Sequence, residues 1–67
     1  MQKIQRKAVE DINQNMIKVG DTVRHMSFGR DAVVLETYTR VQNGVRYNEI
    51  LVDAPAGEWN PKDVRKL

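Results

Sequence analysis

Two rhythms divide the chain. In residues 1–16, Ile4, Ala8, Ile12 and Met16 recur every four residues, and Met1 and Val9 fall on the same side of a helical wheel. At 3.6 residues per turn these six positions occupy an arc of about 140°, a normal width for a core-facing stripe. Gln2, Lys3, Arg6, Lys7, Glu10 and Asp11 lie mostly opposite. The spacing predicts an amphipathic α-helix over residues 1–16, ended at Asn13 or Asn15, because Asn tolerates the left-handed conformation that stops helices. Arg6–Glu10 and Lys7–Asp11 are spaced i,i+4 with the basic residue first, the weaker order. The early basic residues also oppose the helix dipole, so the first turn is expected to fray.

From Ile17 onward β-branched residues dominate, and Gly or Pro punctuates them. This grammar predicts strands near Asp21–His25, Asp31–Thr39, Val45–Asp53, Glu58–Trp59 and Val64–Lys66. Asn43-Gly44 is a strong hairpin signal, since both residues accept positive φ. Ala54-Pro55-Ala56-Gly57 suits a tight turn. Asn60-Pro61-Lys62-Asp63 reads as one helical turn with Asn as cap and Pro at the first position.

Along the third strand, Ile50 and Val52 share one face and Tyr47, Glu49, Leu51 and Asp53 the other. The first pair is expected to point inward, in one core with Val23, Val33 or Val34, and Val64. Five short strands cannot bury both faces of an open sheet, whereas a sheet folded on itself hides most edges. The order is long hairpin, short strand, helical turn, last strand. It predicts a mainly β protein: a five-stranded SH3-like barrel over residues 17–67, preceded by the helix. The short Asn13–Val19 connection favours a monomer whose helix folds back on the open end of the barrel. The alternative is a homo-oligomer formed through the helical stripe.

Composition narrows the function. Sixty-seven residues, 40% hydrophobic, make one small domain with a thin core. There is no cysteine, hence no disulfide framework, thiol nucleophile or cysteine-ligated zinc. Eleven Lys/Arg against nine Asp/Glu leave a net charge of +2. That surplus sits in residues 1–18; residues 19–67 are balanced and their charges interspersed. Nucleic-acid binders usually gather a basic stripe on one face, so this distribution favours a protein partner. No apolar run approaches the roughly 18 residues of a membrane span. Nor does the N-terminus carry the apolar stretch of a signal peptide, so a cytoplasmic location is expected.

The stretch Gly20-Asp21-Thr22-Val23-Arg24-His25-Met26-Ser27-Phe28-Gly29, followed by Val33-Val34, resembles the opening of small bacterial Tudor-like or KOW-like barrels. It is most similar to the C-terminal domain of UvrD/PcrA-type repair helicases. The likeness runs loosely through Ile50-Leu51-Val52-Asp53 and covers residues 19–67. Asp31 stands where that family usually has a second glycine. The resemblance implies an SH3-type fold and a module that docks on RNA polymerase.

Candidate chemistry is sparse. His25 is the only histidine and Ser27 the only serine. Acyl transfer by that pair would further need a buried Asp and an oxyanion site, so His25 is expected to cap its loop or pack near Phe28, itself expected in the core. With one His and scattered carboxylates, no metal site, catalytic residue or cofactor is expected. Tyr38, Arg40, Arg46 and Tyr47 lie near the hairpin tip, and Trp59 precedes the helical turn. Tyr, Trp and Arg are enriched in protein hot spots. These five are the expected partner-binding residues of a non-enzymatic adaptor that docks on a larger machine, with RNA polymerase and the transcription apparatus the first candidates. The alternative is a nucleic-acid-binding barrel in which the tyrosines and arginines stack bases and the basic helix adds charge.

Overall fold

A computed structural model describes residues 2–53 and 56–67. The chain is mainly β. Its strands are β1 (Gln2–Arg6), β2 (Val9–Glu10), β3 (Met16–Ile17), β4 (Thr22–His25), β5 (Arg30–Gln42), β6 (Val45–Asp53), β7 (Ala56–Trp59) and β8 (Val64–Lys66), with one 3-10 turn at Pro61–Asp63. The main sheet runs β7-β6-β5-β4-β8, and β1 joins it on β5; β2 and β3 form a separate small hairpin. The start of the turn expected at Ala54-Pro55 lies outside the described residues, as does Met1.

β5 and β6 are joined by a two-residue turn. Asn43 and Gly44 take φ of 53° and 78°, the pair of positive values a tight hairpin of this twist requires. Gln42 pairs with Val45 across it, and the ladder continues through Arg40–Tyr47 and Tyr38–Glu49. A bulge between Val34 and Glu36 lets the long strand change neighbours. Its first half pairs with β4 and its second half with β1.

The expected N-terminal helix is absent; no α-helix occurs among the described residues. Of its stripe, Ile4, Ala8, Ile12 and Met16 are all exposed, while Val9 and Ile17 enter the core. Two competitors defeat the helical period. Gln2–Arg6 pairs antiparallel with Tyr38–Gln42, an edge that would otherwise be open. Asp11 then diverts the chain: its Oδ1 accepts from the backbone N–H groups of Asn13 and Asn15, both at 2.8 Å. Such a local side-chain acceptor offers the backbone an alternative to the helix, and an isolated helix of about four turns is marginal in water.

The expected closed barrel is also not formed. The sheet is open, with no hydrogen-bonded pairing between β7 and β8 among the described residues. Two other features cover what closure would hide. The 3-10 turn carries the chain from β7 to β8 with Pro61 buried. Its cap is Asn60, whose side chain accepts from Lys62 N–H at 2.9 Å. The Asp11–Ile12 segment lies along β8: Ile12 N–H donates to Val64 O at 3.0 Å, and Lys66 N–H donates to Asp11 Oδ2 at 2.7 Å. The outer edge of β8 is thus satisfied by a loop rather than by a strand.

Val9, Ile17, Val23, Ala32, Val34, Ile50, Val52, Trp59 and Val64 form one core cluster. Val34 is the inward member of the valine pair; Val33 is exposed. Phe28, expected in the core, is instead 64% exposed. Gly29 N–H returns to His25 O at 2.8 Å, so the loop between β4 and β5 is too tight to fold Phe28 inward.

Candidate functional site

Alternation along β1, β5 and β6 sorts side chains onto two faces. Tyr38, Arg40 and Gln42 share one face with their partners Glu49, Tyr47 and Val45 on β6 and Arg6 and Ile4 on β1. Leu51 continues this face and brings in Glu58 from β7. The opposite face carries Ile50 and Val52 into the core, with Thr39 hydroxyl donating to Asn48 Oδ1 at 2.8 Å nearby. Glu36, opposite Leu51, lies there too, so the outer face holds two tyrosines, two arginines, the carboxylates of Glu36, Glu49 and Glu58, and Ile4.

Arg40 organises its centre. Its guanidinium meets the Glu49 carboxylate as a fork, with Nε–Oε1 at 3.1 Å and Nη2–Oε2 at 3.3 Å. Its Cζ lies 4.5 Å from the centroid of the Tyr47 ring, and it also donates to Gln42. A planar, charge-assisted fork over an aromatic face holds the long side chain in one geometry. The hydrogen bond to Glu49 raises the Arg40 pKa further. Ile4, Tyr38, Arg40, Glu49 and Glu58 line a shallow hollow of about 320 Å³. Toward the other end of the face, Arg6 pairs with Glu36 at 3.1 Å. There a second groove, of about 490 Å³, is lined by Lys7, Ala8, Val19 and Leu35 among others.

Burial, and then the Glu49 charge, push the Tyr38 phenol up to about 12. The folded state therefore favours the protonated phenol. Its stabilisation is complete below the ordinary tyrosine value of about 10 and is lost as pH rises toward about 12. Phenolate absorbance is expected to show one tyrosine that resists ionisation until about pH 12, and Tyr38→Phe should abolish that late step.

Of the five expected binding residues, Tyr38, Arg40 and Tyr47 come together, with Tyr38 itself buried at 8% exposure. Arg46, one residue from Tyr47, falls on the opposite face, paired with Val41. It borders a hollow with Tyr47, Asn48, Glu49, Asn60 and Lys62. Trp59 is separate: it is 8% exposed and belongs to the core. Its ring meets His25 edge-on at 5.0 Å, and His25 stacks on Phe28 at 3.9 Å. The His25 Nδ1 accepts from the backbone N–H groups of Ser27 and Phe28 at 3.2 and 3.3 Å, so the imidazole caps its own loop. Ile4, Glu49 and Glu58 were not expected in the site. Glu49 was legible, because the Asn-Gly hairpin sets its register opposite Tyr38. Ile4 was not, because its partner strand lies more than thirty residues away.

No protein-family model matches the sequence, and comparison with curated proteins and with solved structures found no match. Among the described residues, no helix is long and apolar enough to cross a membrane.

Proposed function

We propose that this chain is a non-enzymatic adaptor that docks on a protein partner through the outer face of β1, β5 and β6. The observation that carries the reading is the Arg40–Glu49–Tyr47 cluster. Tyr47 remains 42% exposed beside an arginine already held in place. A pre-ordered aromatic and arginine pair loses little side-chain freedom on binding, which is what makes such residues hot spots.

The same geometry weighs against phosphate recognition. Arg40 is neutralised by Glu49 and Arg6 is paired with Glu36, and Glu58 adds a third carboxylate to the face. A nucleic-acid surface needs cations turned toward solvent and a steep salt dependence. Weak, salt-labile nucleic-acid binding is all this face supports.

The likeness of Gly20–Gly29 to the docking domain of UvrD/PcrA-type helicases makes RNA polymerase the first partner to test, and the cytoplasm the compartment. Binding of purified bacterial RNA polymerase to the immobilised chain is expected to weaken roughly tenfold or more on Tyr47→Ala. The fold should survive, since Tyr47 lies outside the core. Equal binding by wild type and Tyr47→Ala would refute this face as the docking site. No binding by either would remove RNA polymerase as the partner.

A further inference from the structure

β1 is an edge strand, paired with β5 on one side alone among the described residues. The direction of its other backbone groups follows from two independent facts. Lys7 N–H donates to Thr37 O, so odd-numbered residues of this segment face β5. The two-residue turn at Asn43-Gly44 makes Gln42–Val45, Arg40–Tyr47 and Tyr38–Glu49 the hydrogen-bonded pairs with β6, because paired and unpaired positions alternate. Val41, Thr39 and Thr37 must then face β1, opposite Lys3, Gln5 and Lys7. Both routes agree. The N–H and C=O groups of Ile4 and Arg6 point away from the sheet, into an open edge.

Its surroundings select the occupant. Ile4 is 63% exposed on the face that carries Tyr47. Lys3, Arg6 and Lys7 make the segment wholly basic up to Ala8. Two copies paired edge to edge would bring like charges together, and basic side chains on an edge strand discourage self-pairing. An extended segment with alternating acidic and apolar residues would meet the opposite condition: its backbone completes the ladder, its apolar side chains cover Ile4 on one face, and its carboxylates fall on the other face, the one that carries Lys7. Beyond Arg6 the same path reaches the groove floored by Ala8, Val19 and Leu35.

We infer that the β1 edge takes an acidic, extended strand of the partner by β-strand addition. This rests on the docking reading above and supplies its mode. The backbone would give affinity, and Ile4 with the basic flank would give specificity.

The test uses a synthetic capped heptapeptide alternating Glu and Val, with a Lys/Val peptide as control, and needs no RNA polymerase. Backbone NMR of the full chain is expected to show saturable binding of the acidic peptide, with slower hydrogen exchange at the Ile4 and Arg6 amides. The Lys/Val peptide should bind roughly tenfold more weakly at low salt. Ile4→Pro removes an outward N–H and spares the β1–β5 ladder, as proline on a solvent-facing edge position does. It should lose roughly tenfold in peptide affinity, with the Thr39 amide still protected as proof of folding. Absence of peptide binding, equal binding of both peptides, or undiminished binding by folded Ile4→Pro would overturn the inference. So would protection of the Ile4 and Arg6 amides that grows with protein concentration alone, which would assign the edge to a second copy. These failures leave the Tyr47 test of docking intact, so the two proposals fall separately.

Discussion

Asp11→Ala is expected to cost about 3 kcal/mol, because it strips the acceptor from three backbone donors gathered on one buried carboxylate. Asp11 is fully buried. One oxygen holds Asn13 and Asn15 and the other holds Lys66. The side chain therefore shapes the loop between β2 and β3 and ties it to β8, fifty-five positions away in sequence. Burial pushes the carboxyl upward, but the backbone N–H groups of Lys66, Asn15 and Asn13 outweigh it and hold the pKa below the ordinary value. A lowered folded-state pKa means the carboxylate stabilises the fold fully above the unfolded value of about 3.9. That contribution is lost as pH falls from there through the lower folded value. Asp11→Asn keeps one acceptor oxygen and loses the titration. Thermal unfolding between pH 7 and pH 2 should show Asp11→Asn less stable than wild type at neutral pH and less sensitive to acid. Wild-type stability at pH 7 in either variant would contradict the role.

Trp59→Ala carries the largest expected packing loss, about 3–5 kcal/mol for a buried aromatic. Trp59 is placed on β7 opposite Ile50, so its ring enters the shared core and closes over His25 and Phe28. The loss would be a large part of the stability of a domain this small, and the variant is expected to be mostly unfolded near 37 °C. Phe28→Ala is the matched control. Phe28 is exposed and stacks on His25 from outside, so the loss is expected to be about 1 kcal/mol or less. Denaturant titration of the pair separates the readings: comparable losses would mean that Trp59 is not a core residue.

What could be read along the chain was local. Asn43-Gly44 fixed the hairpin, and the hairpin fixed the register that opposes Arg40 to Tyr47. Alternation then sent Ile50 and Val52 inward, and it also assigns Arg46 to the face away from Tyr47, because a shift of one residue reverses the face. The N-terminal segment failed for the opposite reason. Its apolar spacing is helical, but its structure is set by remote partners: β5 for Gln2–Arg6 and Lys66 for Asp11. The turn-forming run Asp11-Ile12-Asn13-Gln14-Asn15 was the one local sign, since Asp and Asn side chains bond to backbone two and more residues on. Gln14 takes a φ of 65° there, which a helix interior forbids. Closure was beyond local reading too, because the partner of β8 is the remote β4, and no pairing with β7 occurs among the described residues.

The docking claim itself is tested most directly at position 47. A photoreactive benzoyl-phenylalanine in place of Tyr47 would be irradiated with purified bacterial RNA polymerase and single-stranded RNA together, at about 0.15 M salt, where exposed charges are screened. The same group in place of Arg46, on the opposite face, serves as control. The account predicts a crosslink to a polymerase subunit from position 47, weaker or absent from position 46. A crosslink from position 47 to RNA rather than to protein, or equal polymerase crosslinks from both positions, would contradict it.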